Sequence, residues 1–199
     1  MRIDELTVGL VQTRCYILSR EDSRECIVID PGAEAARIRK AAGEKKIAAI
    51  LLTHGHFDHI GAVRELTARE QRNSELKEQE DGKPRIVIHE LDAPMLTDPR
   101  LNASQGLIGR EVTAPEATDP VKEGDELVLA GLKVKVLHTP GHTPGSVCYL
   151  IEGELFTGDT IFDFGWGRTD LPGGNEEQMM NSLRRLAPMV REMPMHAGH

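Results

Sequence analysis

Four side chains that bind metal ions well lie within one short segment of this sequence. They are His54, His56, Asp58 and His59, in the run His54-Gly55-His56-Phe57-Asp58-His59. Imidazole nitrogen and carboxylate oxygen together suit Zn²⁺, Fe²⁺ or Mn²⁺. Two of these histidines can hold one ion while the Asp-His pair turns toward a second. Solvated loop histidines would explain any one of these residues, but not four of them directly after an apolar strand.

Three further candidate ligands follow downstream. His142 lies in a Thr-Pro-Gly-His-Thr turn, Asp159 in a Thr-Gly-Asp segment where an apolar strand stops, and His199 follows a glycine at the end of the chain. Gly141, Gly158 and Gly198 precede the three ligands directly. Because glycine tolerates backbone conformations that other residues avoid, it allows each ligand to approach a metal closely.

The elements that must position these residues follow from apolar periodicity and turn residues. In each half of the sequence, strands are followed by a helix, which two face-to-face sheets covered by helices would explain. Strands are predicted at 2–9, 12–19, 25–30, 47–52, 85–89, 126–129, 132–138, 146–151, 154–157 and 189–193. Helices are predicted at 33–42, near 60–63, from Leu91 and at 176–186 with Asn175 as N-cap, a surface loop at 70–84, and a long substrate-facing loop at 97–124.

Length and composition restrict the function classes. The 199 residues are enough for one domain, residues 1–199. A net charge of −8 argues against nucleic acid as a partner, because phosphate contacts require clustered Lys and Arg. No apolar window is long enough to cross a bilayer and no signal peptide is visible, so we expect a cytoplasmic protein without a membrane partner. Cys15, Cys26 and Cys148 are predicted to be reduced core residues.

Taken together, His-x-His-x-Asp-His, Thr-Pro-Gly-His-Thr, Thr-Gly-Asp and Gly-His resemble the metallo-β-lactamase superfamily over essentially the whole chain. The segments 167–174 (Gly-Arg-Thr-Asp-Leu-Pro-Gly-Gly) and 28–32 (Val-Ile-Asp-Pro-Gly) are similar to its glyoxalase II, or hydroxyacylglutathione hydrolase-like, branch. The resemblance implies an α+β fold, an αββα four-layer sandwich of two mixed β-sheets flanked by helices. The C-terminal helical domain that binds glutathione in full-length glyoxalase II is not expected, so the chain is either a short form or truncated after His199.

The same resemblance implies how the ligands divide. His54, His56 and His142 would hold a first metal, Asp58, His59 and His199 a second, and Asp159 would bridge the two. Asp30 would support the ligand loop. We expect two divalent ions, zinc in the first place, with iron or manganese as alternatives.

The expected activity is hydrolysis of a small-molecule thioester or ester by a hydroxide bound to both metals. Asp58 is the expected catalytic residue that orients this hydroxide. Arg168 is a candidate for binding an anionic part of the substrate, or else it forms an ion pair within its own loop. Phe164 and Trp166 either pack or form a wall of the substrate cleft. The oligomeric state stays open.

Other activities use similar residues. A mononuclear iron persulfide dioxygenase resembles the same branch and would need only two histidines and one aspartate. A lactonase is a further alternative, and a true β-lactamase usually supplies a Cys ligand that this sequence lacks. Acidic charge argues against a tRNA-processing nuclease, and the complete ligand set against a non-catalytic scaffold. Outside that set, His138 is predicted to be a hydrogen-bonded structural residue and His196 a loop residue.

Overall fold

The computed structural model describes residues 1–68 and 82–199. The strands in these ranges are β1 Arg2–Val8, β2 Thr13–Ser19, β3 Glu25–Ile29, β4 Lys46–Leu51, β5 Arg85–His89, β6 Asp119–Val121, β7 Glu126–Leu129, β8 Leu132–His138, β9 Val147–Ile151, β10 Glu154–Gly158 and β11 Met195–Ala197. The helices are α1 Ala35–Ala42, α2 Phe57–Ile60, α3 Val63–Thr67, α4 Ser104–Ile108, α5 Glu176–Leu186 and α6 Met189–Glu192, with a 3-10 helix at Ala93–Leu96.

The strands form two mixed sheets. The first has the order β1-β2-β3-β4-β5-β6, with β1, β2 and β3 antiparallel and β3 to β6 parallel. The second has the order β11-β10-β9-β8-β7 and is antiparallel except for the β10–β11 pair. The parallel pairs matter most for the site, because consecutive parallel strands bring their carboxyl ends to one edge of the sheet.

Three apolar clusters define four layers. Side chains of both sheets meet in the central core, which includes Ile29 and Leu51 from the first sheet and Tyr149 and Phe156 from the second. The opposite face of the first sheet packs against α1, α2 and α3, and that of the second against α5 and α6. The predicted αββα sandwich is confirmed. The three cysteines are free and buried, as expected for reduced core residues.

Two predictions about the elements are wrong. Residues 189–193 are not a strand, because Pro188, whose ring holds φ near the helical value, starts helix α6 there. The strand β11 begins only after Pro194, which has no N–H to donate to a sheet. Residues 97–124 are not one continuous loop, since they contain α4 and also β6, which pairs with β5. The loop predicted at 70–84 lies mostly outside the described residues. No helix in the described ranges is long and apolar enough to span a bilayer.

The two sheets are joined by hydrogen bonds just before the first candidate ligands. The Tyr149 hydroxyl of β9 donates to the carbonyl of Leu52 at 2.9 Å, and the backbone N–H of Val147 donates to the carbonyl of Thr53 at 2.8 Å. Tyr149 is fully buried, so its hydroxyl satisfies a carbonyl that water cannot reach. These bonds fix the end of β4 against the second sheet.

We expect Tyr149→Phe to lower the free energy of unfolding by about 1–3 kcal/mol, because it leaves a buried carbonyl without a donor while preserving the ring. Equilibrium urea denaturation of the metal-free protein measures this change. Val128→Thr, on the exposed edge strand β7, is the control and should change stability by less than about 0.5 kcal/mol. Equal stability of Tyr149→Phe and wild type would contradict the role given to this bond.

Candidate metal centre

The first group of candidate ligands consists of three buried imidazoles, His54, His56 and His142. Their ring centroids lie 4.6 to 4.8 Å apart. Nδ1 of His56 and Nε2 of His142 approach to 2.9 Å. Burial, together with the neighbouring imidazoles, lowers the pKa of His56 to about 3 and the pKa of His54 well below its usual value. These two rings are therefore neutral near pH 7 and keep lone pairs for a cation.

Hydrogen bonds select the nitrogen of His54 that faces the cluster. Thr53 Oγ1 donates to Asp30 Oδ2 at 2.7 Å and lies 3.2 Å from His54 Nδ1. A hydroxyl has one proton, and Thr53 donates it in the hydrogen bond to Asp30. His54 Nδ1 must therefore be the donor in its contact with Thr53 Oγ1. Nε2 of His54 then carries the lone pair, and it is buried without a hydrogen-bond partner among the described residues. A buried acceptor of this kind costs about 1–3 kcal/mol, a cost that a bound cation would remove.

His142 is oriented in the same way from another loop. Its Nδ1 lies 2.7 Å from the main-chain carbonyl of Arg168, which can only accept a hydrogen bond. The proton is therefore on Nδ1, and the lone pair on Nε2 faces His56. Both imidazoles thus have the tautomer that a metal site requires.

The second group contains Asp58, His59 and His199. Nε2 of His59 lies 3.5 Å from Asp58 Oδ2 and 3.4 Å from His199 Nε2, and His199 Nε2 lies 3.3 Å from Asp58 Oδ2. The carbonyl of Val11, at the turn between β1 and β2, lies 3.1 Å from His199 Nδ1. Gly158, directly before Asp159, has a left-handed φ of +49°, and it turns that aspartate out of β10.

Asp159 contacts residues of both groups. Its Oδ1 lies 3.4 Å from His59 Nε2, and its Oδ2 lies 3.5 Å from both His142 Nε2 and His199 Nε2. The seven predicted ligands therefore converge in space, although they come from four separate parts of the chain. Asp159 lies between the two groups, and its role as a bridging ligand stays a prediction.

The charges around His59 favour a cation. Burial by itself would lower the pKa of His59, but Asp159, Asp58 and Asp30 together raise it well above its usual value. Burial would likewise raise the pKa of Asp58 and Asp159, yet the imidazoles, His59 foremost, lower both. Three carboxylates therefore converge on one ring in a buried volume, and divalent cations compensate such charge. The residues fit a site for divalent metal ions of the kind that nitrogen and oxygen ligands prefer.

Arg168 is placed differently from the ligands. Its exposed guanidinium donates to Asp170 at 2.6 and 2.7 Å, as the ion-pair alternative expected. Its contact with the cluster is made by the main-chain carbonyl. Phe164 and Trp166 are 99% and 52% exposed, so neither is a core packing residue. Contacts of these three side chains with a substrate stay predictions.

The remaining histidines lie outside the cluster. His138 is a hydrogen-bonded structural residue, as predicted, because its Nε2 lies 2.8 Å from the carbonyl of Pro144 and its ring stacks on His89. His196 is not a loop residue. It belongs to β11, and its Nε2 contacts Glu154 at 2.8 Å.

Sequence reasoning missed three buried residues that hold the ligands in place, Thr53, Asp92 and Thr143. Thr53 and Thr143 are adjacent in sequence to His54 and His142, and this adjacency could have indicated their supporting role. Asp92 follows β5 far from any ligand in sequence, yet its carboxylate accepts from Gly55 N at 3.1 Å and Thr143 Oγ1 at 2.6 Å.

A four-layer αββα sandwich with histidines and aspartates gathered at one edge defines a class of proteins with a candidate metal centre, and the function of such proteins depends on that site rather than on the fold alone. The chain belongs to the metallo-β-lactamase superfamily, whose family model matches residues 8–193. It is 38% identical to a probable metallo-hydrolase, YqgX, of Bacillus subtilis (strain 168), over 100% of this chain and 90% of that protein. It is 33% identical to the hydroxyacylglutathione hydrolase GloC of Haemophilus influenzae, over 100% and 91%.

Solved structures agree with this assignment. The chain superposes on BLEG-1, a B3 metallo-β-lactamase, with a TM-score of 0.86 at 33% identity, covering 100% of this chain and 91% of the other. TTHA1623 in a di-iron-bound form gives a TM-score of 0.80 at 32% identity, covering 98% and 91%.

We expect Thr53→Val to weaken binding of divalent metal by about 10- to 100-fold, because it removes the hydroxyl through which Asp30 orients His54. Competition with a chromophoric chelator measures the affinity. Thr53→Ser keeps the hydroxyl and is the matched control, which should bind metal as wild type does. Wild-type affinity in Thr53→Val would show that this hydroxyl does not orient the ligand.

Proposed function

We propose that this protein is a thioester hydrolase that uses two divalent metal ions. His54, His56 and His142 would hold the first ion and Asp58, His59 and His199 the second, with Asp159 as the shared ligand. The observation that carries this proposal is the position of Asp159, whose Oδ2 lies 3.5 Å from one histidine of each group. One carboxylate in reach of both groups is what a closely spaced metal pair requires.

When bound, the two ions would lower the pKa of a shared water from about 15.7 to about 7 and polarise the carbonyl under attack. The residues of the chain orient the reacting groups. Asp58 is held by the hydroxyl of Thr13, which donates to Oδ2 at 3.2 Å, and by His199, whose Nε2 lies 3.3 Å from the same oxygen. A carboxylate fixed in this way can accept a hydrogen bond from an attacking water, and this orients a lone pair of the water oxygen toward the substrate.

The thioester as substrate rests on the relatives. GloC of Haemophilus influenzae is named a hydroxyacylglutathione hydrolase, and this chain aligns with it over its full length. The sequence of segment 167–174 is similar to the same branch. In the structure this segment contributes the carbonyl that orients His142 and the Arg168–Asp170 ion pair. We therefore propose a small hydroxyacyl thioester as the substrate, with zinc, iron or manganese as the metal.

A second candidate is an iron-dependent persulfide dioxygenase. Ligand atoms of His54, His59 and Asp159 also lie within 4.8 Å of one another. Two histidines and one carboxylate are the ligand set of many mononuclear non-haem iron oxygenases. This function would need one iron and would leave the other ligands as supports.

Metal content and a substrate panel separate the two functions. We expect two equivalents of zinc, iron or manganese per chain by mass spectrometry. We also expect hydrolysis of lactoyl thioesters of glutathione, coenzyme A or small thiols, which an assay of the released thiol measures. Asp159→Asn should reduce both metal content and kcat/KM, the latter by at least about 100-fold, because the shared ligand loses its charge.

Asp22→Asn is the matched control, since Asp22 is an exposed aspartate that pairs with Arg20. It should retain full metal content and activity. Full metal loading without turnover of any thioester would contradict the proposed substrate class, and lactones would be tested next. One equivalent of iron together with sulfur-dependent oxygen consumption would favour the dioxygenase.

A further inference from the structure

A buried carboxylate that accepts hydrogen bonds from neighbours of the candidate ligands joins the two loops of the first group. Asp92 lies between β5 and the 3-10 helix, and its side chain is fully buried. Its Oδ1 accepts from the backbone N–H of Gly145 at 2.7 Å. Its Oδ2 accepts from the hydroxyl of Thr143 at 2.6 Å and from the backbone N–H of Gly55 at 3.1 Å. One carboxylate therefore receives three hydrogen bonds from two loops.

The donors are the immediate neighbours of the ligands. Gly55 lies between His54 and His56, and Thr143 follows His142 directly. His54 and His56 lie in the loop that follows β4 of the first sheet, whereas His142 lies in the loop between β8 and β9 of the second sheet. No single strand fixes the spacing of these three imidazoles, so it depends on how the two loops are held together.

The backbone of the His142 loop packs closely against Asp92. A Cβ placed on Gly145 would lie 2.7 Å from the Asp92 carboxyl carbon, closer than such atoms approach in proteins. The backbone of Asp92 is fixed as well, because its N–H donates to the carbonyl of His89 and its carbonyl accepts from Met95, both at 2.9 Å. The carboxylate is thus held from both its backbone and its side chain, so we expect a loss of one of its hydrogen bonds to displace the loops.

We propose that Asp92 is a positioning residue for the first metal, which ties the loop of His54 and His56 to the loop of His142 and sets the spacing of the three imidazoles. This inference rests on the proposed two-metal site. Metal sites tolerate ligand displacements of only about 0.2 Å, so a loop contact that moves by more than this weakens binding. The second group takes no ligand from the His142 loop, and its affinity should not depend on Asp92.

The test uses Co²⁺ as probe, with its visible absorption as readout, in two backgrounds of the full chain. His199→Ala disables the second group and His56→Ala the first. We expect Asp92→Asn to weaken Co²⁺ binding by about 10-fold or more in the His199→Ala background and to change its ligand-field bands. In the His56→Ala background the Kd should stay within about threefold. The reason for the expected weakening is that the side-chain NH₂ of Asn is only a donor. It would face an N–H or O–H group that the carboxylate oxygen accepts from, so at least one of the three hydrogen bonds is lost.

Two further variants separate positioning from folding. Thr143→Val removes one of the three donors and leaves Asp92 in place, and it should weaken Co²⁺ binding in the same background in the same direction. Thr143→Ser restores the hydroxyl and should restore both affinity and absorption bands. Asp98→Asn, which alters a partly buried aspartate that accepts from Arg100, is the matched control and should bind as its background does. If Asp92→Asn does not fold, the Thr143 pair decides the result.

Equal loss of Co²⁺ affinity in both backgrounds would show a general structural role and overturn the proposal. Unchanged affinity and spectrum in both Asp92→Asn and Thr143→Val would also overturn it. Failure of the wild-type protein to bind two metal ions would instead contradict the proposed function itself, and the positioning role with it.

Discussion

The structure depends on placing five imidazoles and two carboxylates in one volume that is largely closed to water. Polar groups are stable in such a place only if each finds a partner, and the cost of failure is high because the local dielectric is low. The apolar core between the sheets meets this requirement indirectly. It packs the two sheets together, and the hydrogen bonds of Leu52 with Tyr149 and of Thr53 with Val147 then hold the end of β4 against β9. Ligands from both sheets therefore reach the same edge.

Two buried aspartates that are not among the candidate ligands, Asp30 and Asp92, hold the ligand loops in place. Asp30 receives the backbone N–H and the hydroxyl of Thr53 at 2.8 and 2.7 Å and lies 3.0 Å from His59 Nδ1. Asp92 receives donors from the loops on either side of the first group. An ionised carboxylate has about four lone-pair positions and no proton to place, so it suits the collection of loop N–H groups better than any neutral side chain.

The two groups of ligands differ in charge, and this difference gives each position its own character. The first offers imidazoles alone, of which His54 and His56 are held neutral by burial. The second includes Asp58, whose lowered pKa keeps it ionised beside His59. Asp159 contacts residues of both groups. Such asymmetry suits a reaction in which one ion polarises a carbonyl and its neighbour supports the nucleophile.

The sequence alone identified the seven candidate ligands. Four lie in one short motif whose spacing does not depend on the fold, and the other three each lie in a motif of the resembled superfamily. It also predicted nine of the strands and the helices α1 and α5 to within about two residues, for example α5 at Glu176–Leu186 with Asn175 as its cap. It failed at residues 189–193, where the apolar pattern suits a strand or a helix and only Pro188 and the pairing of β11 with β10 decide. The main-chain role of Arg168 and the role of Asp92 came only from the tertiary structure. Both act on loops distant in sequence, and contacts of that kind exist only once two sheets have packed together.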